Sequence, residues 1–120
     1  DGRLVALEVN IRPPGGPALD VYNYSSDVDL YWGWANVVLN NRFVDSYSRK
    51  YYSCYVGRKF NKWYRHSHED ILSAFGYCIA GHEAISPVLA LAMGDYTYMV
   101  RTPDKEEMLA AATYIQELVS

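Results

Sequence analysis

The stretch 51-YYSCYVG-57 decides the fold class, because here the chain changes from helical spacing to strict alternation. Tyr52, Cys54 and Val56 stand against Tyr51, Ser53 and Tyr55, and alternate side chains of an extended chain share a face. The run is therefore a strand, and Gly57 ends it. Downstream, residues 62–66 read as a second strand returning as a hairpin. Ser67 followed by Glu69-Asp70 starts a short helix to Phe75, since a serine cap and early acids satisfy the free amides and the helix dipole. Residues 77–85 and 88–93 read as strands, although the Ala-rich end of the second suits a helix equally. Gly94-Asp95 turns the chain into a strand over 96–101. Thr102 or Asp104 then caps a helix to Val119, in which Met108, Leu109, Ala112, Ile115 and Leu118 recur at helical spacing.

Upstream, residues 20–24 read as a short helical turn, and Asp27 as the N-cap of a helix over 28–40. Leu30, Trp34, Val37 and Val38 fall on one face of that helix, and Asn40-Asn41 stop it. The class is α+β, a mostly antiparallel sheet with flanking helices. At 120 residues, half of them hydrophobic, the chain can bury the core of one domain but hardly two. A net charge of −3 gives no global reason to expect nucleic acid or an anionic membrane as partner. Cys54 and Cys78 lack C-x-x-C spacing and read as reduced thiols, with pairing left open. There is no basic-then-apolar leader, and the longest apolar run, 85–93, is broken by Ser86 and Pro87. A soluble cytoplasmic protein is expected.

The chemistry concentrates in 4-LVALEVNIRPPGG-16. Here Val5, Leu7, Val9 and Ile11 share one strand face, while Glu8, Asn10 and Arg12 share the other. A carboxylate and an amide oxygen side by side suit a hard, oxygen-loving cation such as Mg²⁺, and Arg12 adds a planar fork for a carboxylate or phosphoryl group. Gly15-Gly16 has no Cβ to block an approaching anion, yet no Lys-Ser or Lys-Thr follows, so it is not a P-loop. The bland alternative is a solvated strand face closed by a proline-glycine turn. Asp1-Gly2 suits a hairpin turn, so the first strand is expected to have an upstream partner in a longer polypeptide.

The stretch LEVNIRPPGGPALDVYNYSSDVDLYWGWANVVL resembles the last large strand and following helices of ATP-grasp carboxylate–amine ligases, where E-x-N-x-R-P followed by small residues sits beside the nucleotide. YYSCYVGRKF, YRHSHEDILSAFG and AMGDYTYMV are similar to the tail of some members, so the resemblance extends over 1–120. It implies that the chain is the C-terminal part of an ATP-grasp catalytic domain, whose nucleotide-binding portions lie upstream in the same polypeptide. It also implies that Glu8 and Asn10 hold Mg²⁺ on the ATP phosphates, and that Arg12 is catalytic, stabilising charge on the transferred phosphoryl or the acyl acceptor. Gly15, Gly16 and Asp20 would face that acceptor. The implied reaction activates a carboxylate as an acyl phosphate for attack by an amine, with this chain inactive alone. Self-association is left open.

The competing class is a binding module without catalysis. Arg42, Arg49, Lys50, Arg58, Lys59, Lys62 and Arg65 face only Asp45 between residues 42 and 65, interleaved with Tyr47, Tyr51, Tyr52, Tyr55 and Tyr64. Such a stretch suits single-stranded nucleic acid, though a solvated strand pair is the commoner use. His66, His68 and Glu69 lack the further ligands of a zinc site, so capping or surface roles are expected. The aromatics Tyr22, Tyr24, Tyr31, Trp32 and Trp34 are expected to pack helix on sheet, and Arg58 and Arg101 to form salt bridges or reach an acidic substrate.

Overall fold

A computed structural model describes residues 2, 12–43 and 46–119. The strand expected ahead of the proline-glycine turn, with Glu8 and Asn10, lies outside them. The described chain runs α1 (Ala18–Ser26), α2 (Leu30–Asn40), β1 (Tyr52–Arg58), α3 (His68–Phe75), a 3₁₀ turn (Gly76–Cys78), β2 (Ile79–Ala84), α4 (Pro87–Met93), β3 (Tyr96–Thr102) and α5 (Lys105–Gln116). The three strands form one antiparallel sheet in the order β1-β3-β2. The fold is thus α+β, as the alternation at 51–57 required.

The central strand explains its own composition. On one face of β3, Tyr98 and Val100 join Val56 of β1, Ile71 of α3, and Ala111 and Ile115 of α5 in the core. On the other face Thr97 and Met99 are buried on the side of α1, where Tyr24 lies over Gly81. Both faces are covered, so YTYMVRT reads as a run of β-formers rather than a clean alternation.

Local chemistry sets several boundaries. Ser67 accepts from the Asp70 amide while the Asp70 carboxylate accepts from the Ser67 amide, a reciprocal cap that starts α3 where expected. Asp104, not Thr102, caps α5 by accepting from the amides of Glu106 and Glu107. Asn41 ends α2 in the left-handed conformation.

Four expectations need correction. The turn at 20–24 is a nine-residue helix, because Pro17 and Ala18 already start it. Asp27 does not cap α2: it sits at φ 55° behind α1 and pairs with Arg101 at 2.8 Å, leaving Asp29 to accept from the Trp32 amide. Residues 88–93 are helix, with Pro87 at the first helical position, where its missing N–H costs nothing. Residues 62–66 form no strand with β1. Tyr64 instead bridges to Leu118, and the amides of Arg65 and Val119 donate to the carbonyls of Glu117 and Trp63. This pairing also explains why α5 stops at Gln116 rather than Val119.

The bridged tail carries a pH-dependent clasp. The Glu117 carboxylate accepts from His66 Nε2 at 2.9 Å and Arg65 Nη1 at 2.6 Å, and these partners hold it below its ordinary value of 4.5. A depressed carboxylate stabilises the fold above its unfolded pKa, and that contribution is lost as pH falls through the folded value. Acidification from about pH 6 to about pH 3 should therefore lower the protection factors of the Arg65 and Val119 amides before those of the core amides, a difference that Glu117→Gln abolishes. Unchanged protection of those two amides down to about pH 3 would remove the clasp from this account.

Candidate functional site

The proline-glycine turn passes from the first residues into α1. Arg12 is exposed and, with Pro13, lines a hollow of about 250 Å³ whose floor is Leu19, Leu30, Trp34 and Phe43. Of the expected aromatic cluster, Trp34 packs here while Tyr22, Tyr31 and Trp32 stay more than half exposed. Gly15 is open to solvent, with nothing within 4 Å of the place a Cβ would take. Gly16 has φ +65°, the left-handed region that favours glycine, and faces the Met93 side chain of α4, whose sulfur would lie 3.0 Å from a Cβ.

Asp20 belongs to a different hollow. It lines a depression of about 320 Å³ with Tyr24, Gly81, His82 and Glu83, and its carboxylate accepts from the Tyr31 hydroxyl at 3.0 Å. Burial, then this bond, raises the Tyr31 phenol above its ordinary value. Arg12 and Asp20 therefore line separate depressions, and Glu8 and Asn10 fall outside the described residues. Among the described residues no group of three His, Cys, Asp or Glu side chains could hold a metal ion.

The basic stretch is less uniform than its charge count. Arg58 lies half-buried at the end of β1, where Nε donates to the Ile115 carbonyl at 2.7 Å and Nη1 to the His66 carbonyl at 2.9 Å. Lys59 Nζ donates to the carbonyls of Ala90 and Leu91 at the C-terminal end of α4, the negative end of that helix. With Arg65 paired to Glu117 and Lys50 lying 3.9 Å from Asp27, four of the seven cations are engaged within the fold. Arg101 is engaged as well, pairing with Asp27 and lying 3.9 Å over the Tyr51 ring.

The histidines divide likewise. His66 stacks on Tyr114 at 3.5 Å between ring centroids. His68 Nδ1 shares a 2.8 Å hydrogen bond with the Tyr98 hydroxyl, and His82 Nδ1 one of 2.7 Å with that of Tyr96. The two imidazoles meet edge to face at 4.9 Å. Sequence reasoning missed this cluster, though Y-x-Y on one strand face was its signal: the register sets His82 opposite Tyr98. Cys54 and Cys78 are free, and burial raises both thiols, which makes them poor nucleophiles. No helix among the described residues is long and apolar enough to cross a membrane. No protein-family model, curated protein or solved structure matches this chain.

Proposed function

We propose that this chain is the C-terminal part of an ATP-grasp carboxylate–amine ligase. The observation that carries the reading is the sequence run E-x-N-x-R-P-P-G-G at residues 8–16, whose alternation, read as an extended chain, would put a carboxylate, an amide oxygen and a guanidinium on one face ahead of a Gly-Gly pair. Glu8 and Asn10 form a hard oxygen donor set that fits Mg²⁺, which when bound neutralises phosphate charge. Arg12 acts beside them, holding the transferred phosphoryl or the acyl acceptor in place and offsetting negative charge as it builds. Phosphoryl transfer depends mainly on positioning and electrostatics, so no nucleophilic side chain is needed. The exposed Gly15 lets an acceptor approach the backbone, whereas Asp20, held by the Tyr31 hydroxyl in its own depression, stands apart from Arg12.

The test is Glu8→Gln in the complete polypeptide. Mg²⁺-dependent ADP formation in the presence of a carboxylate should fall by about 10²-fold or more, with the circular dichroism spectrum unchanged. Turnover equal to that of the parent sinks the metal-ligand assignment.

A further inference from the structure

We propose that the cleft between the 59–64 loop and the outer end of the sheet binds a small planar aromatic ring bearing one carboxylate. The proposal goes beyond the ligase reading and stands or falls without it.

The cleft holds about 370 Å³, within the range of small-molecule sites. Its walls are four aromatic side chains, Phe60, Tyr64, Tyr96 and Tyr98, and every other lining group is basic: Arg58, Lys59, Lys62 and His68. Among the described residues no carboxylate lines it. The nearby Asp95 side chain is occupied, accepting from the Phe60 amide at 2.8 Å.

Arg58 makes this composition informative. Buried charges are ordinarily paired with an opposite charge, because desolvation is costly. Among the described residues the Arg58 guanidinium has neutral partners alone: the carbonyls of Ile115 and His66, the Tyr64 ring at 4.3 Å and the Tyr98 ring at 6.0 Å. Its Nη2 is sealed from solvent with no hydrogen-bond partner among the described residues. Burial lowers its pKa, and the Tyr98 and Tyr64 side chains offset only part of that. One uncompensated positive charge in a wall free of carboxylates calls for one negative charge in the cleft.

The remaining walls specify the rest of the ligand. Tyr96 and Tyr98 lie with ring centroids 5.4 Å apart, and their hydroxyls are tied to His82 and His68, so both rings are fixed. Tyr64 is fixed at its hydroxyl, which accepts from the Lys59 amide at 3.0 Å. Phe60 is 76% exposed at the mouth, an apolar ring standing in water with a face to offer. A flat ring between such walls gains stacking contacts that an aliphatic acid lacks. With the Lys59 ammonium held by α4, Lys62 is the cation left to meet the carboxylate at the rim.

The experiment uses the complete polypeptide and three probes of one shape: 2-naphthoate, the neutral 2-naphthalenemethanol, and the cationic 2-naphthylmethylammonium, followed by saturation-transfer NMR and calorimetric titration. The naphthoate should bind about tenfold or more tightly than the alcohol, and the ammonium more weakly than either. Phe60→Ala and Lys62→Ala, both at exposed positions that leave the core intact, should each weaken naphthoate binding about three- to tenfold, whereas Lys105→Ala on α5 should not. Arg58→Lys keeps the charge but not the planar fork, and serves as the deeper probe where it folds. Equal binding of naphthoate and alcohol overturns the proposal, as does naphthoate binding that Phe60→Ala and Lys62→Ala leave untouched.

Discussion

Gly57→Ala should destabilise the protein by about 3 kcal/mol or more, lowering the thermal midpoint on the order of 10 °C. Gly57 pairs with Thr97 in the sheet, and a Cβ there would overlap the Met93 carbonyl oxygen, with the Met93 carbonyl carbon at 3.1 Å and the Tyr55 ring at 3.2 Å. Flexible side chains can yield to a methyl group, but this obstacle is backbone. It is also pinned: the Tyr55 hydroxyl donates to the same Met93 oxygen at 2.6 Å, and the Asp95 amide donates to the Arg58 carbonyl at 2.6 Å. Relief would mean lifting the end of α4 off β1 and breaking both bonds. Gly15→Ala is the control, since nothing lies near its Cβ position and its φ is not left-handed. Thermal unfolding of the two variants decides the matter. A Gly57→Ala midpoint within a few degrees of Gly15→Ala would show that α4 does not rest on β1 in this way.

Ile115→Ala should cost about 3–4 kcal/mol, a large share of the roughly 5–15 kcal/mol by which domains are stable. Ile115 is 0% exposed and closes the core over Val56, Ile71, Tyr98 and Val100. Removing three carbons there leaves a cavity that strand and helix backbones cannot collapse to fill. Leu109 lies on the same helix and in the same apolar pattern, yet is 45% exposed. Leu109→Ala should therefore cost less than about 1 kcal/mol. Urea titration reads both as shifts in midpoint at constant slope. Equal shifts for the two variants would mean that α5 presents a different face to the sheet.

The contrast between Ile115 and Leu109 shows how far the sequence can be read. Helical spacing identifies an apolar stripe but not its centre, because the small Ala111 is fully buried in the core while the larger Leu109 is not. The Ser67–Asp70 cap was legible because both partners lie within one turn. The strands read at 51–56 and 96–101 were legible because β-branched and aromatic residues mark them, although the first runs on through Gly57 to Arg58, paired with β3. The segment 62–66 was misread because its partner, Leu118, is more than fifty residues away. Asp27 and Asp29 are equally good caps in isolation, and only Arg101, brought alongside by β3, takes the first and leaves the second. For the candidate site, the residue types at 8–16 suggested a chemistry, but their spacing did not reveal that Arg12 and Asp20 line different depressions.

What the sequence alone determined, then, is local: the α+β class, the cap at Ser67 and the stop at Asn40-Asn41. Those features depend on hydrogen bonds and periodicities within a few residues. Tertiary structure alone decided that residues 87–93 are helix seated on Gly57, that the tail pairs with the 63–65 segment, and that Arg58 is an internal cation with neutral partners. Burial and long-range pairing set those outcomes. A charge count or a propensity cannot register which carbonyls, rings and backbones a distant part of the chain will bring to the same place.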